Sequence, residues 1–159
     1  MKTALLLVML VSQVQQQAGR SALSHLGADR DARALRARTD RERGYLRAVE
    51  ILYGDGPKAA RDTAYSQAME QLARDYPADD EAQLFYALSL LGLSQGVRNV
   101  STYLKAAAIA DGAFARNPDH PGATHYLIHG VDDPLHAVLG LRAARLWVAR
   151  RPKPHTRST

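Results

Sequence analysis

The sequence predicts an all-α fold of about six helices, stacked as antiparallel hairpins into an α-α superhelix. Three observations carry this. Ala, Leu and Arg dominate while aromatic residues make up only 6% of the chain, and Ala and unbranched side chains lose little conformational freedom in a helix. Apolar residues recur at three- and four-residue spacing between clear start and stop signals. A helix-turn-helix pattern then returns after 41 residues, which is how a repeat architecture announces itself. At 159 residues one domain is expected: a repeat domain over 29–151, preceded by a segment 1–28 and followed by a basic tail 152–159.

The chain opens MKTALLLVMLVSQVQQQAG, one Lys followed by an apolar run from Ala4 to Val11. Spanning a bilayer takes ~20 apolar residues, so no transmembrane segment is expected. The outline is that of a signal peptide, yet Gln16 stands third before a cut after Ala18, where a small residue is wanted. Two readings stay open: export to the periplasm or beyond with residues 1–18 as the signal, or a cytoplasmic chain whose residues 1–28 make a packed or frayed first helix.

Thr39-Asp40-Arg41-Glu42 fits a capping box, in which Thr accepts from the amide three residues on and Glu reaches back to the cap. A helix follows with Tyr45, Leu46, Val49, Leu52 and Tyr53 on one face, and Gly54-Asp55-Gly56-Pro57 ends it. The next runs from near Pro57 to Tyr76, with Ala64, Ala68, Met69 and Leu72 as its stripe and Pro77 as its stop. Asp79 or Asp80 caps a third, Glu81 to Leu93, whose Ala82, Phe85, Tyr86, Leu88 and Leu90 make it apolar on more than one side and therefore central. After a polar loop from Gly92 to Val100, Ser101 is the expected cap of a fourth helix that ends at Asn117-Pro118. Its Ala106, Ala107, Ala108, Ala110 and Ala113 suit close helix approach. Pro121 opens a short fifth helix, where a missing amide costs nothing. Asp133-Pro134 signals the start of a sixth, continuing through Leu146 and Trp147 to Pro152.

Asp75-Tyr-Pro-Ala-Asp-Asp-Glu-Ala82 aligns with Arg116-Asn-Pro-Asp-His-Pro-Gly-Ala123 at the spacing of 41, with prolines and final alanines in register. That spacing exceeds the 34 of a tetratricopeptide repeat, and the Gly92 to Val100 loop holds the surplus. Beyond this, RTDRERGYLRAVEILY, YSQAMEQLARDYPADDEAQLFYALSLL and FARNPDHPGATHYLIHGVDDPLHAVLGLRAARLWVA resemble a group of bacterial tetratricopeptide-repeat proteins over about residues 38–149. HPG, HYLIH and DDP together are the specific part. The resemblance implies a scaffold that holds other proteins or peptides, with no catalytic residues to transfer. Such proteins continue into further repeats on both sides, so this chain is expected to be a central piece of a longer one.

The net charge of +5 does not imply nucleic-acid binding, because residues 1–141 carry fifteen Lys/Arg against sixteen Asp/Glu while residues 142–159 carry six and no acid. The basicity is a tail. With no cysteine, thiolate metal sites, disulfides and a thiol nucleophile are excluded. No G-x-S-x-G elbow or Gly-rich phosphate loop occurs, and Asp79, Asp80 and Glu81 read as helix-start carboxylates. Tyr86 and Trp147 read as anchors between helices.

His120 to Ala137 holds four of the six histidines and two adjacent aspartates. His125 and His129 share one helix face at the spacing of helical zinc ligands. Tyr126 stands where a metalloprotease needs its glutamate. His120, Asp132, Asp133 and His136 can complete a set for zinc or a similar divalent ion, which gives the alternative of a metal-binding protein or metal-dependent hydrolase. The competing account has the histidines hydrogen-bonding helix ends and the aspartates capping. The main expectation is a non-catalytic scaffold without cofactor, whose candidate partner-binding residues are Gln83, Tyr86, Tyr126 and His129, because inner helices line the concave face of such stacks. The apolar excess of the sixth helix, Leu135, Val138, Leu139, Leu141, Leu146, Trp147 and Val148, predicts self-association through Pro134 to Arg150.

Overall fold

The computed structural model describes residues 37–93 and 97–149. Among them six α-helices follow one another: α1 (Asp40–Tyr53), α2 (Lys58–Asp75), α3 (Asp80–Leu93), α4 (Val100–Arg116), α5 (Pro121–Gly130) and α6 (Leu141–Ala149), with a 3-10 turn (Ala137–Gly140) before the last. No strand occurs among the described residues. The fold is all-α, as expected. The expected N-terminal segment 1–28 and tail 152–159 lie outside the described residues. Two compact units divide the chain between Leu72 and Ala73, inside α2.

In the first unit α1 starts at the expected capping box. Thr39 Oγ1 accepts the Glu42 N–H at 3.1 Å, and Glu42 Oε2 accepts the amides of Thr39 at 3.1 Å and Arg38 at 2.7 Å. Those backbone bonds hold the Glu42 carboxyl below its ordinary value. The helix stops at Gly54, and Gly56 turns the chain with φ 99°, a region open to glycine. Arg61 then closes the corner. Its side chain, only 7% exposed, donates to the Leu52 carbonyl at 2.6 Å and the Gly56 carbonyl at 3.2 Å, taking up carbonyls that the helix end leaves free. Gly44, early in α1, lies against Leu72, late in α2, so α1 and α2 run antiparallel.

The second unit contains the repeat. Around the first turn Asp79 N–H donates to Tyr76 O at 3.0 Å and Gln83 N–H to Asp79 O at 3.1 Å; around the second His120 N–H donates to Asn117 O at 3.1 Å and Thr124 N–H to His120 O at 3.3 Å. Each pair is offset by the 41 residues read from the sequence. Burial follows the same register: Ala82 matches Ala123, Tyr86 matches Leu127 and Leu90 matches Val131, all buried. Side-chain contacts join one turn to the next, a salt bridge from Arg116 to Asp80 at 2.5 Å and a hydrogen bond between His120 and Glu81 at 3.0 Å.

The core gathers around α4. Leu84, Ala107, Ala110, Ala113, Phe114, Ala123, Leu127, Val131 and Ala143 form one buried cluster, with Leu104, Tyr126, Ile128 and Leu146 packed on its margin. The alanines let α5 come very close: a Cβ on Gly130 would lie 2.6 Å from the Ala107 Cβ and 2.9 Å from its Cα. Ala107 and Gly130 flank the Asn117 to His120 turn about equally, which makes α4 and α5 an antiparallel hairpin.

Two starts differ from those read in the sequence. Asn99, not Ser101, caps α4, its Oδ1 accepting the Thr102 N–H at 3.0 Å. Asn is as good a cap as Ser, and standing earlier it draws Val100 and Ser101 into the first turn. The sixth helix begins at Leu141 rather than after Pro134. The Asp133 carboxylate accepts the amides of Leu135 at 3.0 Å and His136 at 3.1 Å, which closes a tight turn. Gly140 then passes so near Val131 that a Cβ would lie 2.8 Å from its Cγ2.

Candidate binding groove and histidine segment

The late start of α6 leaves Leu139 standing across from α4, and a groove of about 300 Å³ opens in the second unit. Leu104, Ala107, Ala108 and Asp111 of α4 line it, with Leu127 of α5, Val131, Leu139 and Arg142. Buried Ala107, Leu127 and Val131 make its floor, while Ala108 and the 60%-exposed Leu139 stand on its walls. Arg142 donates to Asp111 Oδ1 at 2.8 Å, and its guanidinium carbon lies 4.8 Å from the centre of the Phe114 ring. The groove thus offers apolar contact and one ion pair at its rim. Asp111 and Arg142 are its only ionisable side chains.

None of the four residues expected to bind a partner lines this groove. Gln83 donates from Nε2 to the Ala73 carbonyl at 2.7 Å, bracing α3 against the end of α2. Tyr86 is 6% exposed, with Lys105 Nζ 5.2 Å from its ring centre, so it anchors the core. Tyr126 packs on the core margin, where desolvation and the nearby Glu81 carboxylate push its hydroxyl above the ordinary value. His129 is exposed on α5. The signals for the groove were present in the alanine run of α4 and the apolar excess after Pro134, but only the position of the 3-10 turn brings them together.

The histidines part into separate tasks. His120 caps α5: its Nδ1 accepts the amides of Gly122 at 3.1 Å and Ala123 at 3.4 Å, leaving Nε2 to donate to Glu81 Oε1 at 3.0 Å. His136 Nδ1 lies 2.8 Å from Asp133 Oδ1. Desolvation alone would raise the Asp133 carboxyl, but the bonds from the His136 ring and the Leu135 amide outweigh it and hold that carboxyl below its ordinary value. His125 and His129 stand together on α5 with ring centroids 4.7 Å apart, and the His125 ring meets Trp147 edge-on at 5.7 Å. Desolvation, and after it the charge of His129, holds His125 below the ordinary histidine value.

Arg98, which sequence reasoning passed over, organises this end of α5. It pairs with Asp132 and lies 3.5 Å from Asp133 Oδ2, donates to the Gly130 carbonyl at 3.2 Å, and its guanidinium carbon lies 4.1 Å from the Tyr103 ring centre. It therefore satisfies a free helix-end carbonyl and holds the two aspartates, each of which also meets one histidine, Asp132 with His129 and Asp133 with His136. Among the described residues no three His, Asp or Glu side chains come together as a metal-holding set, so His120, His125, His129, Asp132, Asp133 and His136 do not form one site. No helix among the described residues is long and apolar enough to cross a membrane. No protein-family model, curated protein or solved structure matches this chain.

Proposed function

We propose that this chain is a non-catalytic, tetratricopeptide-like scaffold whose second unit holds a segment of a protein or peptide partner in the groove between α4, α5 and Leu139. The groove itself carries the reading: an apolar floor of about 300 Å³ with a single ion pair at its rim suits an inserted aliphatic or aromatic side chain. The repeated turn bonds of α2-α3 and α4-α5 support the repeat character, since stacked hairpins present extended surfaces of this kind. Charge favours an acidic partner, because residues 142–159 carry six Lys/Arg and no acid. With no partner bound, the exposed Leu135, Val138, Leu141 and Val148 pair with a second copy through Pro134 to Arg150.

Peptide display against the full chain tests this. Selected peptides should carry an apolar residue together with Asp or Glu, and Ala108→Trp, which fills the groove from an exposed wall position, should abolish their binding. Phe85→Ala, on another helix, should leave it unchanged. Peptides that bind Ala108→Trp as tightly as the parent would remove the proposal.

A further inference from the structure

Hydrogen bonds to a helix start and a turn commit two of the four clustered histidines and leave the other two on one exposed face. His120 is held by Glu81 and the first amides of α5, and His136 by Asp133. His125 and His129 stand one helical turn apart on the exposed side of α5, ring centroids 4.7 Å apart. His129 Nδ1 lies 3.3 Å from Asp132 Oδ2, and Arg98 fixes Asp132 in turn. A carboxylate at Nδ1 keeps the ring hydrogen there and leaves the Nε2 lone pair available. Metal-binding histidines are oriented and made more basic by this kind of outer carboxylate.

The geometry points to a two-histidine chelate, His125 with His129, for a borderline divalent cation on the exposed face of α5. Two residues four apart on a helix can share one ion. Imidazole suits copper, nickel and zinc, and copper(II) binds tightest of the three at a given nitrogen site. With no third side chain in place, the remaining coordination positions are open to water or to a ligand from another molecule. Asp132 is a positioning residue that acts through His129. The site does not depend on the groove or on the scaffold reading.

Trp147 provides the readout. It is the only tryptophan of the chain and its ring contacts His125, so a paramagnetic ion held by the pair quenches the single indole. The full chain, with His25 and His155 replaced by alanine to remove the histidines elsewhere, is titrated with copper(II) chloride near neutral pH. Indole emission and electron paramagnetic resonance are followed. Saturable quenching at one ion per chain, with two imidazole nitrogens in the spectrum, is expected. His125→Ala and His129→Ala should each leave one nitrogen and weaken binding by about 10-fold or more, and Asp132→Asn by about 10-fold. His136→Ala should change nothing. Absence of quenching, quenching that survives both histidine substitutions, or fewer than two nitrogens in the unsubstituted cluster would each overturn the assignment; the nitrogen count decides even if a variant misfolds.

Discussion

Gly130→Ala should destabilise the second unit although alanine is the better helix former. Gly130 closes α5 with a negative φ, so its backbone suits any residue and only space objects. The added Cβ would sit 2.6 Å from the Ala107 Cβ, 2.9 Å from its Cα and 3.0 Å from its N. Two of those are backbone atoms in the middle of α4, which no rotamer change can move. The helices must part, loosening Ala110, Phe114 and Leu127 as well. Forced overpacking costs about 1–3 kcal/mol, while the propensity gain at a helix end is below the ~1 kcal/mol of a helix interior. A net loss of about 2 kcal/mol is expected, which lowers the Tm of a unit this small by roughly 8–16 °C. Gly112 is the control. It lies inside α4, and its Cβ would meet only the Arg116 guanidinium at an ordinary 3.6 Å, so Gly112→Ala should stabilise by about 0.5–1 kcal/mol. Urea unfolding followed by far-ultraviolet circular dichroism compares the two. Equal signs for both substitutions, or a Gly130→Ala chain as stable as the parent, would refute the close-contact argument.

Three further outcomes follow from the same geometry. His120→Ala removes the α5 cap and the tie to Glu81 and should cost about 1 kcal/mol, whereas His120→Asp should recover the capping share; urea midpoints of the three chains report it. Stability should be flat from pH 6.5, the ordinary histidine value, up to about pH 9, short of the tyrosine range where the raised Tyr126 hydroxyl begins to cost stability, and fall below pH 6.5, because the lowered His125 pKa means that the unfolded chain takes up the proton first. A further fall is expected below about pH 4.5 as the lowered carboxyls of Glu42 and Asp133 lose their advantage, and His125→Ala should abolish the first fall only in a pH series of urea midpoints. Val148→Glu, at a site 68% exposed, should convert a concentration-dependent light-scattering mass to that of the monomer, while a parent chain monodisperse at tens of micromolar would contradict self-association.

What was legible in the sequence is what depends on near neighbours. The Thr39 capping box, the Gly54 to Pro57 stop, the proline turns and the 41-residue register all involve groups a few residues apart, and all stand as read. Asn99 and Ser101 were two acceptable caps two residues apart, and the sequence alone does not choose between them. The Asp133-Pro134 signal misled because the same carboxylate that starts a helix also closes a turn, and contact with Val131 decided for the turn. Arg61 and Arg98 were unreadable for another reason. Their partners are carbonyls at helix ends, groups that every residue possesses, and only the assembled chain shows which ones come within reach. The groove was divided between two legible halves, small residues on α4 and large ones after Pro134, whose meeting is tertiary.

The repeat register explains why a histidine stands at position 120. Its counterpart 41 residues earlier is Asp79, whose Oδ1 accepts the Glu81 amide at 3.1 Å. Both residues thus offer an acceptor to the start of the next helix. An ionised aspartate accepts only, so Asp79 has nothing to donate to another hairpin. Neutral imidazole accepts on one nitrogen and donates on the other, and His120 uses both, capping α5 while reaching Glu81 on α3. His120 therefore both caps its own helix and links successive turns, beside the Arg116 to Asp80 pair. Structure thereby accounts for His120, and the Asp133 turn accounts for His136. Among the described residues His125 and His129 gain no such bond to a helix end; they meet each other, and the Asp132 carboxylate orients His129, which is why the search for a ligand belongs on that face of α5.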